Sequence, residues 1–133
     1  MEDLKKMLES PETTIALVGA TDDSAKYGNV IFRDLQRKGF AVFPVNPNRK
    51  TVGGEQAYAR LADLPEKPGI VNFVVPPEVT LKVLQECLDL NWLSVWLQPG
   101  AENPKVLSFL QENDFNYLAN TCIMVESRFR TKH

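Results

Sequence analysis

This 133-residue chain contains a single histidine, His133, which is its last residue. A Ser–His–Asp or Cys–His arrangement therefore has no internal histidine on which to build. The two cysteines, Cys87 and Cys122, are too few for a disulfide framework or for a zinc site of their own. We accordingly expect neither catalytic residues of these types nor a bound metal.

An excess of positive charge is also missing, since 15 Lys and Arg face 17 Asp and Glu for a formal net charge of −2. Nucleic acids and anionic membranes are bound by concentrated basic surfaces, so we expect neither as a partner. No apolar run approaches the roughly 20 residues that cross a bilayer. The charged N-terminus lacks the apolar core of a secretory signal, and we expect a cytoplasmic protein. The sequence does not indicate whether the chain forms homo-oligomers or binds a protein partner.

The length and composition are those of one globular domain, with 44% hydrophobic and 24% charged residues. We predict a single domain over residues 1–133. Residues 1–13 form its N-terminal helix and lead-in, and residues 127–133 form a tail.

Five short apolar runs predict strands, at residues 14–18, 41–45, 69–75, 93–97 and 116–119. Helical patterns follow most of them, around residues 30–38, 77–88 and 104–112, with shorter helices at 4–8 and after 122. Residues 46–67 look mostly irregular. Alternating strands and helices predict an α/β fold, a single Rossmann-like three-layer domain with a mostly parallel sheet of about five strands. Ligands of such sheets bind beyond the carboxyl ends of the strands, here the loops 19–28, 46–50, 75–78 and 98–103.

The loop after the first strand occupies the position of a phosphate-binding turn. Backbone N–H groups, a helix N-terminus and the hydroxyls of Thr21 and Ser24 would favour an anion there. The loop is not G-x-G-x-x-G, because Thr21 and Ser24 replace the second and third glycines. An ordinary turn with helix-capping residues is the alternative. We expect the carboxylates of Asp22 and Asp23 to point to water, since they would repel a phosphate.

The end of the second strand lacks the acidic residue with which NAD-binding proteins bind the adenosine ribose. Asn46 and Pro47 stand there instead, followed by the cations Arg49 and Lys50. This combination suits a ribose that carries a phosphate, as in NADP and in coenzyme A. Alternatively, both cations are ordinary solvated charges.

Six segments together resemble the stand-alone CoA-binding proteins, relatives of the CoA-binding domain of the succinyl-CoA synthetase α subunit. The resemblance extends from about Thr14 to Glu126, and its segments are IALVGA at 15–20, VFPVNP at 42–47, LADLP at 61–65, VVPPE at 74–78, VWLQPG at 95–100 and CI at 122–123.

The resemblance implies coenzyme A as cofactor and assigns a part of it to each loop. The CoA phosphates would lie at the first loop, near Gly19, Ala20, Thr21 and Ser24, and we include Lys26 of that loop. The adenosine would lie near Asn46, Pro47, Arg49 and Lys50, with Val75 and Pro76 against its flat face. Gln98, Pro99 and Gly100 would lie beside the pantetheine arm. Cys122 follows the last predicted strand, on the predicted ligand side, and from this position it would contact the CoA thiol, unless it is a buried structural cysteine.

The synthetase reaction passes through a histidine of a second domain, and this chain contains no such domain and no P-loop sequence. We therefore expect a CoA or acyl-CoA binding module, a carrier, sensor or partner subunit, and not a complete enzyme. The alternatives are an NADP-binding or redox-sensing Rossmann module and the CoA-binding part of a split acyl-CoA synthetase.

Overall fold

The structure, a computed structural model, describes residues 2–10 and 12–129, so His133 and the end of the predicted tail lie outside the described residues. The main strands are β1 (Thr14–Val18), β2 (Ala41–Val45), β5 (Ile70–Phe73), β6 (Ser94–Leu97) and β7 (Asn116–Ala119), and a small hairpin is made of β3 (Thr51–Val52) and β4 (Glu55–Gln56). The helices are α1 (Leu4–Met7), α2 (Tyr27–Arg37), α3 (Pro77–Leu90), α4 (Pro104–Glu112) and α5 (Ile123–Glu126), with one 3₁₀ turn at Leu61–Asp63.

The five main strands form a parallel sheet in the order β2-β1-β5-β6-β7. The predicted α/β class, the parallel sheet and its five strands are confirmed. Successive connections wind outward from the centre in opposite directions, so the order reverses between β1 and β5. In doubly wound sheets this reversal separates two neighbouring loops and opens a crevice at their carboxyl ends.

Helices cover both faces of the sheet because the strands are apolar on both. On one face Ile31, Phe32 and Leu35 of α2 pack with Leu17 and Ile70 of the sheet. On the other face α3 and α4 pack against the alternate residues of the same strands. These two clusters are the outer-layer contacts of a three-layer domain.

The segment 46–67 differs from the prediction, because it contains the β3–β4 hairpin where we expected mostly irregular chain. Val52 of β3 is fully buried against the α2 face of the core. Beyond the hairpin, Tyr58 donates its backbone N–H to the Pro44 carbonyl and accepts from Asn46 N–H, both at 2.9 Å. The proline is compatible with β2 because that strand lies at the sheet edge and Pro44 directs its carbonyl away from β1.

Candidate functional site

A cleft of about 540 Å³ opens at the reversal of strand order, between the loops that follow β1, β2 and β5. Its volume is within the range of about 300–1,000 Å³ that ligand sites usually have. Eight of the predicted site residues line it: Gly19, Thr21, Lys26, Asn46, Pro47, Arg49, Val75 and Pro76. The remaining lining residues, which the sequence analysis missed, are Val18, Val45, Asn48, Val74, Val79 and Val83.

Two glycines bring the first loop close to its neighbours. Gly19 has a φ of +104°, and a Cβ there would lie 2.8 Å from Cγ1 of Val75 and 2.9 Å from Cγ1 of Val74. A Cβ at Gly28 would overlap the carbonyl oxygen of Gly19. Gly28 thus permits the close helix–strand approach that the third glycine of a dinucleotide-binding turn provides. We expected Gly28 only as the end of the loop, because the helix was predicted around residues 30–38 and α2 begins earlier, at Tyr27.

Lys26 is the N-cap residue of α2 and lies in the lining of the cleft. Its side chain makes no capping hydrogen bond, and its backbone is extended. The N-terminus of α2 therefore begins at the lining of the cleft. The positive end of the α2 dipole and the charge of Lys26 both favour an anionic ligand.

Asn46 joins the first two loops. Its Nδ2 donates to the Ala20 carbonyl at 2.9 Å, and its Oδ1 accepts from the Asn48 N–H at 2.8 Å. The first bond connects the turn after β1 to the turn after β2, and the second shapes the turn that carries Arg49. Because both ends of the amide are engaged, Asn46 acts here as a strut of the cleft wall.

Arg49 and Lys50 are both exposed. Arg49 lines both the cleft and an adjoining hollow of about 510 Å³, whereas Lys50 lines only the hollow. Within residues 2–10 and 12–129, neither side chain forms a salt bridge. We call the border that the cleft shares with the hollow, with Arg49 and Lys50, the mouth of the cleft.

We expected the two carboxylates of the first loop to point to water, but both accept a backbone hydrogen bond. Oδ1 of Asp22 accepts the Gly53 N–H at 2.7 Å, and Oδ1 of Asp23 accepts the Ala25 N–H at 3.0 Å. Asp22 nevertheless stays exposed. These two backbone N–H groups partly offset the negative charge of the loop.

Six of the predicted cofactor-binding residues do not line this cleft: Ala20, Ser24, Lys50, Gln98, Pro99 and Gly100. Ala20 is fully buried in the α2 core, so its small side chain serves packing. Gln98 is also buried, and its Oε1 accepts the Ile123 N–H at 2.9 Å, which holds the start of α5. The loop after β6 lies two strand spacings from β1, about 10 Å, which explains its distance from the cleft.

The two cysteines have different surroundings. Cys87 of α3 is fully buried in the second core cluster, and burial, assisted by the charge of Glu86, raises its pKa to about 12. Cys122 is partly buried at the N-terminus of α5 and does not line the cleft. Its predicted contact with the CoA thiol stays a prediction.

The described part of the chain, residues 2–10 and 12–129, has neither a metal-binding cluster nor a membrane-spanning helix. That part of the chain holds no group of three or more His, Cys, Asp or Glu arranged to bind a metal ion. None of its helices has the length and apolar character that crossing a membrane requires.

The sequence profile of the family described as a CoA binding domain matches residues 13–128. The chain belongs to this CoA-binding family. The resemblance drawn from the six segments is thereby confirmed. A relative of similar length is the uncharacterized protein YneT of Bacillus subtilis, 26% identical over 123 residues that cover 92% of this chain and 90% of that protein.

Solved structures and a ligase subunit are also similar to this CoA-binding domain. A conserved hypothetical protein of Pyrococcus furiosus has a TM-score of 0.83 at 44% identity, over 86% of this chain and 98% of that one. A protein of Thermus thermophilus has a TM-score of 0.84 at 34% identity, over 97% and 98%. The α subunit of an ADP-forming acetate–CoA ligase of Pyrococcus furiosus is 34% identical over 74 residues, which cover 55% of this chain and 16% of that subunit.

Proposed function

We propose that this CoA-binding domain binds coenzyme A or acyl-CoA in the cleft at the carboxyl ends of β1, β2 and β5. It acts there as a carrier, sensor or partner subunit without complete catalytic machinery of its own. The observation that carries the proposal is the lining of the cleft. A close backbone turn at Gly19 and the cations Lys26 and Arg49 surround a wall of valines and Pro76.

Each part of CoA is chemically matched by a part of the cleft or of the surface beside it. The Thr21 backbone, with Lys26, suits the diphosphate, whereas the Gly19 N–H already donates to the Val45 carbonyl at 3.0 Å. Val75, Pro76 and Val79 offer the adenine an apolar wall, and Val79 is 41% exposed although it is a large aliphatic residue. Arg49 and Lys50 suit the 3′-phosphate. The pantetheine arm would leave toward residues 98–100, where Pro99 and Gly100 are exposed and Gln98 contributes only as a support.

Calorimetric titration tests this assignment with CoA, dephospho-CoA and NADP. We expect CoA to bind most tightly, and dephospho-CoA about tenfold more weakly, because exposed cations lie at the low end of charge-assisted hydrogen bonds. The double variant Arg49→Ala/Lys50→Ala should bind both CoA forms equally. Lys105→Ala removes an exposed cation on α4 that does not line the cleft and serves as the control.

Two results would contradict this assignment. Equal affinity of the unsubstituted chain for CoA and dephospho-CoA would remove the role of Arg49 and Lys50. Tighter binding of NADP than of CoA would favour an NADP-binding module, which the same two cations also suit.

A second candidate is the CoA-binding part of a split acyl-CoA synthetase. It is supported by the ADP-forming acetate–CoA ligases among the relatives, of which the chain covers only 11% to 16%. In that case a separate nucleotide-binding chain would complete the reaction. Adding candidate ATP-grasp proteins, with acetate, CoA and ATP, should then produce acetyl-CoA only when both chains are present.

A further inference from the structure

Two hydrogen bonds connect the first loop to the segment that follows β2. One is the bond from Asn46 Nδ2 to the Ala20 carbonyl, at 2.9 Å. The other is the bond from the Gly53 N–H to Oδ1 of Asp22, at 2.7 Å. The second bond was not expected from the sequence, because its acceptor is a carboxylate of the loop that is proposed to bind the CoA phosphates.

The β3–β4 hairpin gives the Gly53 N–H a defined position. Val52 is fully buried in the α2 core. Gly53 itself has a φ of +58°, and a Cβ there would lie 2.7 Å from Cε2 of Phe32. The chain therefore passes tightly over α2 at this point, and the side chain of Asp22 meets it from the first loop.

The base of the same hairpin carries the two cations of the cleft mouth. The Lys50 carbonyl accepts the Ala57 N–H at 2.9 Å, immediately before β3 begins. Arg49 precedes Lys50, and its N–H donates to the Asn46 carbonyl at 3.4 Å. The position of the hairpin thus determines where Arg49 and Lys50 stand relative to the first loop.

We propose that Asp22 is a positioning residue of the cleft. By accepting the Gly53 N–H, its carboxylate holds the hairpin against the first loop and keeps Arg49 and Lys50 at the cleft mouth. The proposal rests on the proposed binding of CoA. If Asp22 acts by position, its removal weakens CoA binding. If it acts only by charge, its removal strengthens CoA binding, because a negative charge beside a phosphate site repels the anion. For an exposed carboxylate this repulsion is largely screened by salt.

Three variants separate position from charge in CoA titrations at physiological ionic strength. Asp22→Ala removes the acceptor and should weaken CoA binding by about three- to tenfold, the range of one net hydrogen bond. Asp22→Asn keeps an Oδ1 acceptor without the charge, and should bind CoA as well as the unsubstituted chain or more tightly. Asp23→Asn removes the neighbouring charge and leaves the Asp22–Gly53 bond, so it should behave like Asp22→Asn.

A double-mutant cycle identifies the groups through which Asp22 acts. In the Arg49→Ala/Lys50→Ala background, Asp22→Ala should cause little further loss of CoA affinity, because the cations that it positions are gone. Amide hydrogen exchange gives an independent readout without ligand. The Gly53 amide should exchange faster in Asp22→Ala than in Asp22→Asn.

The proposal is overturned if Asp22→Ala leaves CoA affinity unchanged or raises it as Asp22→Asn does. It is also overturned if the loss persists undiminished without Arg49 and Lys50. These results are distinct from a failure of the proposed function, in which the unsubstituted chain itself would bind no CoA.

Discussion

Replacing Gly28 by alanine sets two effects of opposite sign against each other. In a helix interior alanine is favoured over glycine by about 0.8–1.0 kcal/mol, so propensity alone predicts a more stable protein. Gly28 lies in the first turn of α2, however, where a Cβ would overlap the Gly19 carbonyl oxygen. That oxygen belongs to the backbone and cannot rotate away as a side chain does. Either α2 or the turn after β1 must move.

The overlap should outweigh the propensity. Overpacking against a fixed neighbour typically costs about 1–3 kcal/mol, and the net loss for Gly28→Ala is then roughly 0–2 kcal/mol of unfolding free energy. The displaced turn also leads into Thr21, whose backbone is proposed to contact the CoA phosphates. CoA affinity should therefore fall by at least about tenfold, even where the loss of stability is small.

Urea denaturation and CoA calorimetry on the same preparation measure both effects. Gln36→Ala is the matched control, because it changes an exposed position of α2 far from Gly19 and should stay within about 0.5 kcal/mol. If Gly28→Ala raises the unfolding free energy by the full propensity difference and binds CoA normally, the close approach of α2 to Gly19 is refuted.

Four further predictions concern the core, the two thiols and catalysis. Both amide atoms of Asn72 are buried without a hydrogen-bond partner in the described part of the chain, so Asn72→Leu should stabilise by about 1–3 kcal/mol in urea denaturation; a destabilised variant would indicate that a buried water serves the amide. A disulfide reagent such as Ellman's should modify Cys122 in the native state and Cys87 only on unfolding, which mass spectrometry of the labelled peptides checks. Because the folded pKa of Cys87 is raised from 9.0 to about 12, its contribution to stability is present below pH 9 and is lost as the pH rises toward 12, and Cys87→Ala should flatten that decline. The isolated chain, incubated with acetyl-CoA, should show no steady release of CoA by chromatography, and turnover that disappears in Cys122→Ser would make it a thiol-dependent enzyme.

The strands were predictable because their signal is local. Thr14–Val18, Ala41–Val45 and Asn116–Ala119 have the predicted bounds, since each is a short, mostly apolar run ended by a glycine or polar residue. The β3–β4 hairpin was missed because strands of two residues have no periodicity to detect. The Gly53–Gly54 pair between them was the available turn signal.

The site was predictable as a set of loops but not residue by residue. Topology brings Gly19, Lys26 and Arg49 to one cleft, as the strand order requires. The role of Gln98 could not be predicted from the sequence. A polar residue after a strand can serve a ligand or the backbone, and here its oxygen binds the Ile123 N–H. That choice depends on a contact between positions 25 residues apart.

The reversal of strand order also has a consequence for the order of folding. β1 pairs with β2, whose residues lie 27 positions further along the chain, and with β5, whose register partner of Ile15 is Ile70. Pairing between distant segments pays more loop-closure entropy and tends to form late. The cleft lies between the loops after β1, β2 and β5, so it is incomplete until β1 has paired with both β2 and β5. CoA should therefore bind the completed fold and slow its unfolding, without accelerating the early steps of folding.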